Sequence, residues 1–138
     1  MYHSLIELLI NKDSKNYYQY KKILFDNIQH WSDEEKNILI TYLNNYIIKQ
    51  INSGNSDYIN EQYHLYIQFE ELGIFEIKDF ISHTRINNVI HIYLRNKDIN
   101  RAEDFLEKYI TLLNNEDKET CLHFNLARIL FENKKYKK

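Results

Sequence analysis

Residues 88–99, NVIHIYLRNKDI, and residues 125–136, NLARILFENKKY, are one pattern written twice at a spacing of 37 residues. Asn88, Ile92, Asn96 and Lys97 recur as Asn125, Ile129, Asn133 and Lys134, and most other aligned positions keep their apolar or polar character. A period of this length belongs to helical solenoid repeats, in which one helix pair cannot bury both its faces and stacks on a copy of itself. This duplication sets the expected fold: an all-α chain, built of antiparallel helix pairs stacked as a short α-solenoid.

Working outward, seven helical segments are expected. The first covers about residues 2–10 and the second about 14–28, with Tyr17, Tyr20, Leu24 and Ile28 on one stripe. The third opens on Ser32-Asp33-Glu34-Glu35, a capping box in which serine and glutamate satisfy each other's amides. Its apolar positions, Leu39, Tyr42, Leu43, Tyr46, Ile47 and Ile51, widened by Ile38, Ile40 and Ile48, predict a helix lying between neighbours. Gly54 should end it as a left-handed cap. A fourth helix follows over about 56–72, stopped by Gly73, and 74–81 reads as a connector. Ser82 should cap the fifth helix, with Ile81 and Ile86 as a hydrophobic staple. Asp98 should cap the sixth, whose stripe is Ala102, Phe105, Leu106, Tyr109, Ile110 and Leu113. Asn114 or Asn115 should cap the seventh, with Leu122, Leu126, Ala127, Leu130 and Phe131 as its expected inner face.

These residues carry a resemblance to the tetratricopeptide-repeat family. Ala127 fits the small residue of that family's first helix, although its counterpart is Ile90. Tyr93 fits the aromatic, Ala102 the alanine of the second helix, and Phe105-Leu106 the bulky pair after it. The family's proline is replaced by Asn114 and the period is longer than usual, so the chain resembles a degenerate member, similar to repeats in bacterial helical-repeat proteins. The resemblance covers residues 82–138. It implies a right-handed stack whose first helices line a concave, peptide-binding face. The ligand-facing positions it implies are Asn88, His91, Arg95, Asn125 and Arg128. Asparagine amides suit a peptide backbone and arginine suits a carboxylate. The partner of Ala102 one period on would be residue 139, so residues 1–138, read as one domain, are expected to form the N-terminal part of a longer chain ending mid-repeat. Self-association through the last helix is expected in consequence.

Composition narrows the function classes. The 138 residues contain no proline, two glycines, twelve tyrosines and seven phenylalanines. So few turn formers argue against a sandwich or barrel, and so many aromatics argue against a disordered chain. A net charge of -2 supplies no footprint for duplex nucleic acid. Cys121 is the single cysteine, so no intrachain disulfide calls for an oxidising compartment. The apolar patch Leu5, Ile6, Leu8, Leu9 and Ile10 is too short for a membrane span and lacks the basic start of a signal peptide. A cytoplasmic protein is expected, binding a protein or peptide rather than a membrane.

No catalytic or metal site is expected. The six histidines have no partner at ligand spacing. Cys121 and His123, two residues apart, point in different directions on a helix. The tyrosines at helical spacing are expected to fill helix–helix contacts rather than to form a base-stacking platform. The readings left are an interaction scaffold without cofactors or, as the alternative, a structural or oligomerisation segment of a larger multi-repeat protein.

Overall fold

Helix ends are where this sequence speaks most directly, because each end leaves backbone groups that something must satisfy. The computed structural model describes residues 14–75 and 81–136. Among them are six α-helices and no strand: α1 (Ser14–Asp26), α2 (Asp33–Asn52), α3 (Asp57–Glu71), α4 (His83–Arg95), α5 (Ile99–Tyr109) and α6 (Asn115–Tyr136). Short 3-10 turns follow α1 and α5. The helix expected over residues 2–10 lies outside the described residues.

The start signals act as chemistry dictates. The Ser32 hydroxyl accepts from the Glu35 amide while the Glu35 carboxylate accepts from the Ser32 amide, completing the capping box of α2. Ser82 caps α4 by accepting from Arg85 N, and Asp98 caps α5 by accepting from Arg101 N. For α6 the capping side chain is Asn114, which accepts from Asp117 N at 3.1 Å.

Three helix ends share one device. After α2, Gly54 takes φ 94° while Gly54 N donates to Ile51 O and Asn55 N to Gln50 O. After α3, Gly73 takes φ 69°, with Gly73 N donating to Glu70 O and Ile74 N to Phe69 O. After α4 the same pair of bonds runs from Lys97 N to Leu94 O and from Asp98 N to Tyr93 O, but the left-handed residue is Lys97, at φ 64°. This is the Schellman arrangement, for which glycine is the unstrained choice. Lys97 adopts it because Asp98 must begin α5 at once.

The chain divides into two compact units, residues 1–62 and 63–138, the division falling within α3. In the first, Tyr17 is fully buried, stacked on Tyr46 at 5.1 Å between ring centres and edge-on to Tyr58. Its hydroxyl donates to Glu61, which also pairs with Lys21 at 2.8 Å. Burial and the adjoining Glu61 carboxylate push the Tyr17 phenol far above its usual range. Ile40, Leu43, Tyr46 and Ile47 form the buried face of α2, whereas Ile38 and Ile48 are exposed. Among the described side chains, the buried face of α2 is therefore narrower than its apolar circumference.

In the second unit α4, α5 and α6 pack against one another. Phe105 is fully buried among the rings of Phe75, Tyr93 and Tyr109, with centroids 4.5–5.9 Å away. Polar groups bind α3 to the same core. The Tyr93 hydroxyl donates to Glu70, the Tyr63 hydroxyl donates to Asp98, and Arg101 lies 3.6 Å from both carboxylates.

The inner face of α6 is not the expected one. Cys121, Asn125 and Ile129, spaced four apart, are buried, while Leu126, Ala127, Leu130 and Phe131 are exposed. Cys121 and Asn125, small or hydrogen-bonding, occupy the contact together with Ile129, and those four other apolar side chains remain outside. The residue 37 positions after the capping Asp98 is Lys135, and α6 runs on through it to Tyr136.

Replacing Lys97 by glycine removes the left-handed strain and should raise stability by about 1 kcal/mol in urea unfolding. An unchanged or lower midpoint would contradict this account of the α4–α5 turn.

Candidate functional site at the seam of α4 and α6

Helical spacing places Asn88, His91 and Arg95 on one side of α4, at i, i+3 and i+7. All three side chains are exposed. On α6 the same repeat positions are Asn125, Arg128 and Glu132. Here the environments diverge, because α6 turns this side towards α4.

Asn125 is 0% exposed. Its amide donates to Asn87 Oδ1 at 2.7 Å, to Cys121 O at 2.8 Å and to Cys121 Sγ at 3.3 Å. The resemblance placed Asn125 among ligand-facing residues. In the structure it lies inside the protein, with its donors committed to α4 and to its own helix. Beside it, Arg128 Nη1 donates to Asn87 O and to Asn125 Oδ1, each at 3.3 Å. The Arg128 guanidinium also lies over the Phe124 ring, 5.1 Å from its centroid.

The seam thus has a floor and a rim. The floor is Asn87, Cys121 and Asn125, a small polar network that fixes the spacing of the two helices. The rim is His91 and Arg95 from α4 with Arg128 from α6. Partial burial holds the His91 imidazole below its usual range, and the nearby positive charges of Arg128 and Arg95 depress it further. Arg128, bonded to Asn87 O, lies beside the side of α4 on which Asn87, His91 and Arg95 follow one another at four-residue spacing. Burial also lowers Arg95 and Arg128 from the ordinary guanidinium range, with Glu132 offsetting part of it for Arg128. A guanidinium remains protonated at neutral pH in any case.

Chemically, the rim presents fixed positive charge, an imidazole and, at Asn88, an amide able to donate and accept. The Cys121 thiol is buried, and burial pushes its pKa up, away from the thiolate a nucleophile needs. Among the described residues no cluster of His, Cys, Asp and Glu could hold a metal ion, and no helix is long and apolar enough to cross a membrane. A polar depression of about 460 Å³ lies at the α4–α5 turn, lined by Lys97, Asp98, Asn100, Glu103 and Asn133 among others. Asp98 there is already committed to the cap and to Tyr63.

Asn87 and Phe124 belong to the seam but carry no distinctive spacing in the sequence. They lie one residue before the matching segments 88–99 and 125–136, and only that proximity to the match marks them in the sequence. Comparison with protein-family models, with curated proteins and with solved structures finds no match to this chain.

Removing the Asn125 amide leaves Asn87 Oδ1 without its shortest donor at a buried contact. Asn125→Ala should cost about 1–3 kcal/mol in urea unfolding, and a loss within experimental error of zero would show that the network does not fix the seam.

Proposed function

We propose that the chain is an interaction module of degenerate tetratricopeptide type, a short right-handed stack of about seven helices in antiparallel pairs, which binds a peptide or protein segment without catalysis. The seat is the α4–α6 seam, and the bound segment is acidic. The observation that carries this reading is the anchoring of Arg128 on Asn87 O and Asn125 Oδ1, at the end of an α4 face that continues through His91 and Arg95. Positioned guanidinium groups favour carboxylates, and prior ordering of a side chain lowers the cost of binding. Asn88 adds an amide one turn before His91, suited to the backbone of an extended segment.

Electrostatics sets the expected behaviour. The contacts are at the surface, so affinity should fall with salt. An anionic ligand raises the pKa of His91, so the complex binds more protons than the free protein. Affinity therefore rises as pH falls towards the pKa of His91 in the free protein, which lies below the ordinary imidazole range. The alternative, an oligomerisation segment, draws on a separate surface on the outer side of α6.

A labelled oligo-glutamate peptide, titrated with the full chain at low salt and followed by fluorescence anisotropy, tests the seat. Arg95→Ala and Arg128→Ala should each weaken binding about tenfold, or about 1.4 kcal/mol. Affinities unchanged by both substitutions would remove the assignment. In the same assay, wild-type affinity should increase from pH 7.5 to about pH 5.5, and His91→Gln should abolish most of that increase. An equal pH response in the His91→Gln protein would show that the imidazole does not face the ligand.

A further inference from the structure

The outer side of α6 carries a row of exposed apolar side chains. Phe124, Leu126, Leu130 and Phe131 are 40–66% exposed, and Ala127 is exposed between them. The internal repeat shows what such a surface is shaped for. One period earlier, Val89, Ile90, Tyr93 and Leu94 of α4 correspond to Leu126, Ala127, Leu130 and Phe131, and all four are buried. On α4 a neighbouring helix, α5, contributes to the covering: Phe105 lies edge-on to Tyr93, 5.9 Å between ring centres. The stripe by which α5 joins that core is a small residue followed by a bulky pair, Ala102, Phe105 and Leu106, all buried.

α6 carries the same stripe on its own exposed side: Ala127, Leu130 and Phe131, again a small residue with a bulky pair three and four positions on. It therefore presents both the surface that needs covering and the stripe that covers it. A self-complementary surface of this kind is what a two-fold symmetric contact requires.

We infer that the outer face of α6 is a homodimer interface, in which α6 packs antiparallel against α6 of a second copy of this chain. Crossing at Ala127 lets the two backbones approach and sets Leu130 of one copy against Phe124 of the other, and Phe131 against His123. The charge pattern selects the antiparallel sense. Glu116 and Glu119 lie in the first turns of α6 and Lys134 near its end, all exposed. Antiparallel packing brings the acidic end of each helix towards the basic end of the other, whereas parallel packing sets like charges together. The inference does not rest on the peptide seat, although Phe124 borders both surfaces, its ring lying under Arg128.

Sedimentation velocity on the full chain, from micromolar to submillimolar concentration, tests it. The wild type should pass from monomer to dimer with rising concentration. Leu130→Glu should remain monomeric across that range with unchanged helicity by circular dichroism, since Leu130 is already 58% exposed and is not part of the monomer's core. Glu119→Lys should weaken the dimer several-fold, and adding Lys134→Glu in the same chain should restore it. A wild type that stays monomeric at every concentration overturns the inference. So does a dimer that survives Leu130→Glu, and a charge exchange that fails to restore would overturn the antiparallel sense. Oligo-glutamate binding by the Leu130→Glu protein should equal that of the wild type, which separates failure of the dimer from failure of the seat.

Discussion

The second unit depends on the burial of Phe105. Its ring has no solvent exposure and is enclosed by Phe75, Tyr93 and Tyr109, which belong to the connector before α4, to α4 and to α5 itself. Edge-to-face contacts between such rings add directionality to the non-directional gain from apolar burial. Around this centre the polar groups fall into place. Tyr93 reaches Glu70 with its hydroxyl because its ring is fixed by Phe105, and Arg101 settles between Glu70 and Asp98.

The site inherits its geometry from that packing. α4 is held by α5 on one side, so α6 meets it along a line where Asn87, Cys121 and Asn125 are small enough for close approach and polar enough to bond across it. Arg128 is anchored on the backbone oxygen of Asn87. His91 and Arg95 then share a surface with it, without any of the three being drawn into the core. A buried amide fixes the floor, and His91, Arg95 and Arg128 lie above it.

Much of this was legible in the sequence where one residue has one chemical job. Ser32, Ser82 and Asp98 accept amides at helix starts, and Gly54 and Gly73 take left-handed conformations at helix ends, because few other side chains do these things without cost. The stripe of α5 was legible because every apolar residue in it faces one way. The inner face of α6 was not. Its helix has apolar residues on both sides, and the side chosen for burial is the less apolar one, selected by the fit of Cys121 and Asn125 against α4 and the hydrogen bonds of Asn125. No count of hydrophobic residues could reveal that. For the same reason Asn88 and Asn125, identical residues at equivalent repeat positions, differ completely in exposure. Lys97 was illegible in another way: it takes a glycine's conformation because the next residue must cap α5, a constraint set by its neighbour.

The most direct test of the account is the equilibrium stability of Phe105→Ala in the full chain, followed by urea unfolding. Loss of a fully enclosed aromatic ring at the meeting point of these elements predicts a destabilisation of about 3–5 kcal/mol. A loss below about 1 kcal/mol, in the range of an ordinary surface substitution, would mean that the ring is not enclosed as described and that α4, α5 and α6 are not held together through it.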